Sequence, residues 1–171
     1  MLYDLLKRCV SIFFNLLNII LGGKLPPLGS ACVIVEENDN YLVVELPGNR
    51  IVFPGGFMTW RETPQQAAER EGREETGLEL QATALINFYS CASSAWTNMS
   101  TISFAFEAHI TGGELRTNIE GRPLWLSEQE LRTRFSPHSL RILEDYLLQR
   151  ELRRRAVVER ERTRVLLPAA S

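Results

Sequence analysis

The segment TPQQAAEREGREETG, from Thr63 to Gly77, constrains this chain more than any other stretch of it. Thr63 has the side chain of a helix N-cap, and Pro64 follows where a missing N–H costs nothing. Gln66 completes a capping box three residues after Thr63. Gly77 suits a left-handed C-terminal stop. These signals predict a helix over residues 64–76. Because successive residues turn by about 100°, Glu71, Glu74 and Glu75 fall on one face. Arg70 can reach Glu74, and Glu69 can reach Arg73. Two readings are open. The face is either a solvated surface laced with ion pairs or a carboxylate cluster for a hard divalent cation such as Mg²⁺, which takes oxygen ligands. On another side, Ala68, Gly72 and Thr76 recur every four residues, with Ala67 beside them. Such a narrow edge suits close packing on a sheet. Gly72 costs about 1 kcal/mol relative to Ala in a helix interior, so a bulky side chain is expected to fill the space above it.

The residues around this helix make the resemblance specific. Gly56, Glu62, Arg70-Glu71, Glu74-Glu75, Gly77 and Leu78 match the Nudix box, G-x5-E-x7-R-E-U-x-E-E-x-G-U, where U is a bulky aliphatic. The one departure is Gly72, which stands at an aliphatic position. The resemblance, over about residues 28–135, implies an α/β/α sandwich with a mixed sheet. It also implies hydrolysis of a diphosphate linkage in a nucleoside diphosphate joined to another group, with Mg²⁺ or Mn²⁺. It implies that Glu71, Glu74 and Glu75 bind the metal, and that Gly56 offers its carbonyl. By the same resemblance Arg70 orients the carboxylates and Glu62 supports the loop. One of the glutamates, Glu71 or Glu74 among them, also serves as base, and which one stays open. The chemistry is consistent, because a metal neutralises phosphate charge and activates water and a nearby carboxylate can take its proton. The alternative is a catalytically weak Nudix-like nucleotide-binding or sensor module, for which Gly72 is the only hint. Isomerase chemistry on an isoprenoid diphosphate, known in a related branch, would need a cysteine, and Cys91 is the one candidate.

The rest of the chain supplies the sheet. ACVIVE (31–36) reads as a buried strand, Glu37 to Asn40 as a turn, and the run from Tyr41 as its hairpin partner. Arg50–Phe53 is a short strand leading into Pro54-Gly55-Gly56. Further strands are expected over 84–91, 99–109 and 124–126, with a turn at Thr111-Gly112-Gly113. Ser127 and Glu130 form a second capping box, and a last helix starts near Pro137 or Ser139. The expected organisation is a helix over 1–25, a hydrolase domain over 28–148, and a charged extension with a frayed tail over 149–171. A net charge of −2 gives no argument for nucleic-acid binding. The three cysteines are scattered, which points to a reducing, cytoplasmic setting.

Some residues outside the box invite a functional reading beside a plainer one. Glu120 sits in a loop where some family members place an extra acidic metal ligand, or is simply solvated. Trp60, Tyr89 and Trp96 could stack on a base or pack structurally. His109 and His138 have no partner pattern and read as structural. Residues around Ser93 to Trp96 lack the substrate-diagnostic proline and tyrosine of known family branches.

The N-terminal run LYDLLKRCVSIFFNLLNIIL is the other informative feature. Asp4, Lys7, Arg8, Ser11, Asn15 and Asn18 draw one polar stripe along a helix, and the remainder is apolar. The uninterrupted apolar stretch is short for a membrane span. A signal peptide is a competitor, but no cleavage site follows promptly. Peripheral attachment through residues 2–21 at the inner face of the membrane is expected, with docking on the chain's own domain or in a homodimer as alternatives.

Overall fold

The computed structural model describes residues 2–117 and 121–166. The architecture follows from one strand that is apolar on both faces. In β1 (Leu28–Ile34), Ala31 and Val33 enter one buried cluster, while Cys32 and Ile34 enter another. A strand with this pattern belongs inside a sheet covered on both sides. β1 pairs in parallel with β7 (Thr101–Gly113) and antiparallel with β5 (Gly55–Phe57), and β7 pairs antiparallel with β6 (Leu78–Cys91). This gives a mixed sheet in the order β5-β1-β7-β6. A second, antiparallel sheet joins β2 (Glu36–Glu37), β3 (Asn40–Leu46), β4 (Arg50–Val52) and β8 (Arg122–Ser127), with β8 on β3.

Helices cover the two clusters. α2 (Pro64–Thr76) buries Ala67 and Ala68 against Ala31, Val33, Leu78 and Leu80. On the other side, Leu131 of α3 (Glu128–Arg134) joins Ile142, Leu143 and Tyr146 of α4 (Pro137–Leu166). They pack with Ile34, Phe53, Ile86 and Tyr89. The expected mixed α/β class with helices on both sides is what is found. Both predicted capping boxes form, at Thr63/Gln66 and Ser127/Glu130, and Gly77 caps α2 at φ 79°.

Several boundaries differ from the sequence reading. β6 begins at Leu78, directly after the Gly77 cap, instead of at residue 84. β7 continues through the expected Thr111–Gly113 turn, because Gly113 pairs with Leu78 and Gly112 with Glu79. Gly55–Phe57, given no element in the sequence reading, is a strand on the edge of β1. α4, expected to run into the 150s, reaches Leu166.

The largest surprise is α1 (Leu2–Ile20). The C-terminal part of its polar stripe, Ser11, Asn15 and Asn18, faces the protein. Ser11 is buried, Asn15 Nδ2 donates to the carbonyls of Trp96 (3.0 Å) and Asn98 (2.9 Å), and Asn18 Oδ1 accepts from the Leu25 N–H. The apolar face points away, leaving Phe13, Leu16, Ile19 and Ile20 exposed. No helix among the described residues is long and apolar enough to cross a membrane.

Candidate active site

Arg70 organises the site. It projects from the middle of α2, and five hydrogen bonds use its guanidinium N–H groups. Nε and Nη2 grip the two Glu62 oxygens at 2.9 and 2.7 Å, a bidentate fork. Nη1 reaches Glu71 Oε1 at 2.8 Å and Glu74 Oε2 at 3.0 Å, and Nη2 also donates to the Phe57 carbonyl at 3.1 Å. One planar cation therefore ties the loop after β5 to two carboxylates of the helix, a geometry that Lys could not reproduce. Glu62 also accepts from the Thr59 N–H. The Arg70 bonds, with that backbone donor, hold the Glu62 carboxyl down at about 2. The Glu62 fork likewise raises the Arg70 pKa further above its already high value.

Two backbone segments press on the carboxylates. A Cβ at Gly56 would lie 2.5 Å from the Glu71 carboxyl carbon, so only glycine lets β5 approach this side chain so closely. Glu75 is almost fully buried, and its Oε2 accepts from the Gly55 N–H at 2.8 Å. Burial, with the Glu75 charge adding to it, pushes the Cys32 thiol up to about 12, so that cysteine stays neutral. Glu74 is the most open of the set, with its side chain about half exposed.

The donor chemistry suits a hard divalent cation: three carboxylates on one helix face beside a close-packed backbone. Among the described residues, no three His, Cys, Asp or Glu groups converge on a common point that could hold a metal ion. Glu71 and Glu74 share Arg70, while Glu75 turns to the Gly55 N–H. Glu120 lies outside the described residues.

Gly72 is explained by packing. A Cβ there would meet Leu80 Cδ1 at 2.7 Å and Val33 Cγ2 at 3.2 Å. The aliphatic volume that the box normally carries on the helix is supplied from the sheet. Glu69, which can reach Arg73 along the helix, accepts from the Ala82 N–H, and Gln65 Nε2 donates to the Ala82 carbonyl. Together they hold the strand backbone where β6 bulges. Sequence pattern alone could not find these two, because their partner is a backbone irregularity.

The remaining candidates separate clearly. Tyr89 is buried and donates its hydroxyl to Asp145 at 2.8 Å, with His138 edge-on at 5.5 Å. The buried Tyr89 is thus held by protein groups, and the exposed His138 packs edge-on against it. His109 sits 3.1 Å from the Gln81 amide oxygen on the sheet. Trp60 is 85% exposed, with the Arg61 guanidinium 4.1 Å over its ring. Trp96 is also exposed, next to α1, and Cys91 is exposed at the end of β6.

The model of the NUDIX domain family matches residues 26–146. The chain belongs to this family and is a Nudix hydrolase. It is 30% identical over 125 residues to a MutT-like protein of Streptomyces ambofaciens, covering 70% of this chain and 78% of that one. It is 26% identical over 118 residues to an ADP-ribose pyrophosphatase of Methanocaldococcus jannaschii, covering 67% and 69% respectively. Among solved structures, a NUDIX hydrolase from Nitrosomonas europaea superposes with a TM-score of 0.66 at 24% identity. That alignment covers 72% of this chain and 90% of the other.

Proposed function

We propose that the chain hydrolyses a diphosphate linkage in a nucleoside diphosphate derivative with the help of Mg²⁺ or Mn²⁺. The observation that carries this reading is the Arg70 hub, which gathers Glu62, Glu71, Glu74 and the Phe57 carbonyl. Glu71, Glu74 and Glu75 would hold the cation, with the Gly56 carbonyl and Glu120 as further oxygen donors. The bound metal supplies charge neutralisation at the phosphates and a more acidic water. Arg70 holds the carboxylates in place, and Glu62 holds Arg70. Glu71 or Glu74 would accept a proton from water. The ADP-ribose pyrophosphatase among the relatives supports the substrate class. Gly72, the one hint of a weak binding module, is matched by Leu80 and so does not favour that reading.

The test is a panel of nucleotide sugars, dinucleotides, nucleoside triphosphates and CDP-alcohols, each assayed with Mg²⁺ and with Mn²⁺. Calorimetric titration of either metal into the wild type and Glu75→Gln runs beside it. Metal-dependent turnover of at least one diphosphate supports the reading. Absence of turnover, or metal binding unchanged in Glu75→Gln, refutes it.

A second reading concerns place. The outward apolar face of α1 favours peripheral membrane contact through residues 2–21. Deleting residues 1–24 should abolish sedimentation with liposomes and leave turnover of a soluble substrate unchanged. A truncated protein that aggregates, with an intact one that ignores liposomes, would instead mark the helix as a domain or dimer contact.

A further inference from the structure

Strand register brings three connections to one end of the mixed sheet. Thr101, which opens β7, lies beside both Leu28, which opens β1, and Cys91, which closes β6. Phe57, which closes β5, lies beside Ser30. At this end the chain comes in from α1, leaves β5 into the 58–62 loop of the Arg70 site, and crosses from β6 to β7 through residues 92–100. Hydrogen bonds hold the three together. The Met58 N–H donates to the Gly29 carbonyl, the Leu28 N–H to the Ser100 carbonyl, and Asn15 of α1 to Trp96 and Asn98.

What this end shows to solvent is apolar and cationic. Phe13 and Ile20 of α1 are 68% and 80% exposed, and Trp96 and Trp60 stand out from the two loops. Phe88 adds to it from the face of β6, in register with Phe104. No Asp or Glu occurs between Leu5 and Val35, whereas Lys7, Arg8 and Lys24 do. Residues 91–106 carry no charge, and residues 53–61 carry only Arg61. The one carboxylate of the 58–62 loop, Glu62, is bonded to Arg70. The acids of these segments are thus Asp4, at the start of α1, and Glu62, against four cations, Lys7, Arg8, Lys24 and Arg61.

We propose that this whole end docks on an anionic lipid bilayer, so that the loop of the carboxylate site faces the lipid and the site opens at the membrane surface. The proposal rests on the peripheral-membrane reading and goes beyond it, since α1 alone could anchor the chain with its site turned to water. Two arguments favour lipid as the occupant. Ser11, Asn15 and Asn18 already turn to the protein, so the outer face offers apolar surface, with the exposed Trp60 and Trp96 and the exposed Arg8 and Lys24 on the same segments, the make-up of an interfacial segment. A second copy meeting this end through the same patch on both subunits would bring the cations against their own kind, whereas anionic headgroups offset them.

The chain has three tryptophans, and the third, Trp125, is half-buried against the α2-side cluster. This permits a test that needs no turnover. The full chain is mixed with phosphatidylcholine–phosphatidylglycerol vesicles, with and without brominated acyl chains, and tryptophan emission is compared for the wild type, Trp60→Phe and Trp96→Phe. Bromine should quench the wild type, and each substitution should remove part of the quenched signal. If Trp60→Phe leaves that signal intact while Trp96→Phe removes it, α1 binds lipid but the site loop faces water. The peripheral-membrane reading then stands and this inference falls. If the wild type neither sediments nor is quenched, and elutes as a dimer, both fall while the hydrolase reading stands on its own assays.

Discussion

α1 and α2 follow the same helical periodicity and sit in the fold opposite ways round. α2 buries its small stripe, Ala67, Ala68, Gly72 and Thr76, and turns its carboxylates toward the loop after β5. α1 turns Ser11, Asn15 and Asn18 inward and leaves its large apolar residues in solvent. The difference lies in what each helix meets. α2 meets the apolar face of a sheet, which rewards burial of small and aliphatic groups. α1 meets the 92–100 crossing, where the Trp96 and Asn98 carbonyls accept from Asn15. An amphipathic pattern therefore fixes which residues share a face and leaves open which face turns inward.

The largest effect is expected where α2 carries charge. Glu75→Gln keeps shape and hydrogen-bonding capacity toward Gly55 but removes the charge, and turnover should fall by roughly a hundredfold or more with the melting temperature nearly unchanged. Full activity in that variant would remove Glu75 from the proposed metal set.

The next test breaks the comparison from the side of α1. Phe13→Asp with Ile20→Asp puts charge on a face that is exposed in the chain alone. Each large apolar side chain contributes about 1.5–3 kcal/mol when buried, so vesicle partitioning should weaken by well over tenfold. Thermal unfolding of the free protein should stay put. A large loss of stability would mean that this face is covered by protein.

Gly72→Ala sharpens the account of α2. Alanine gains about 1 kcal/mol of helix propensity, but its methyl meets Leu80 Cδ1 and Val33 Cγ2, and overpacking typically costs 1–3 kcal/mol. A net loss of about 1 kcal/mol is expected, read as a lower melting temperature. Adding Leu80→Val should recover part of it. A single substitution that stabilises would show that the contact yields freely.

The smallest effect is a pH dependence. The Glu62 carboxyl sits at about 2 in the folded chain against an ordinary 4.5. Its lowered value stabilises the fold fully above about 4.5, and this contribution is lost as pH falls toward about 2. The gap in melting temperature between the wild type and Glu62→Gln should hold steady near neutrality and close across that window. A gap independent of pH would exclude the Arg70 pairing as its source.

Sequence by itself determined the local features. Thr63 with Gln66, Ser127 with Glu130 and Gly77 fixed helix ends, since the atoms involved lie within one turn of each other. The shared face of Glu71, Glu74 and Glu75 needed only the helical period. Tertiary structure decided whatever depends on a distant partner. Gly112-Gly113 reads locally as a turn, yet pairing with Leu78 and Glu79 extends the strand. Glu69, which can reach Arg73 along the helix, turned to the Ala82 backbone, and the volume missing at Gly72 came from Leu80 and Val33. The Ser11, Asn15 and Asn18 side of α1 turned inward where residues 92–100 offered carbonyls to Asn15. Each of these partners lies far away in the chain or on another element, and no local period encodes which surface will be there when the chain closes.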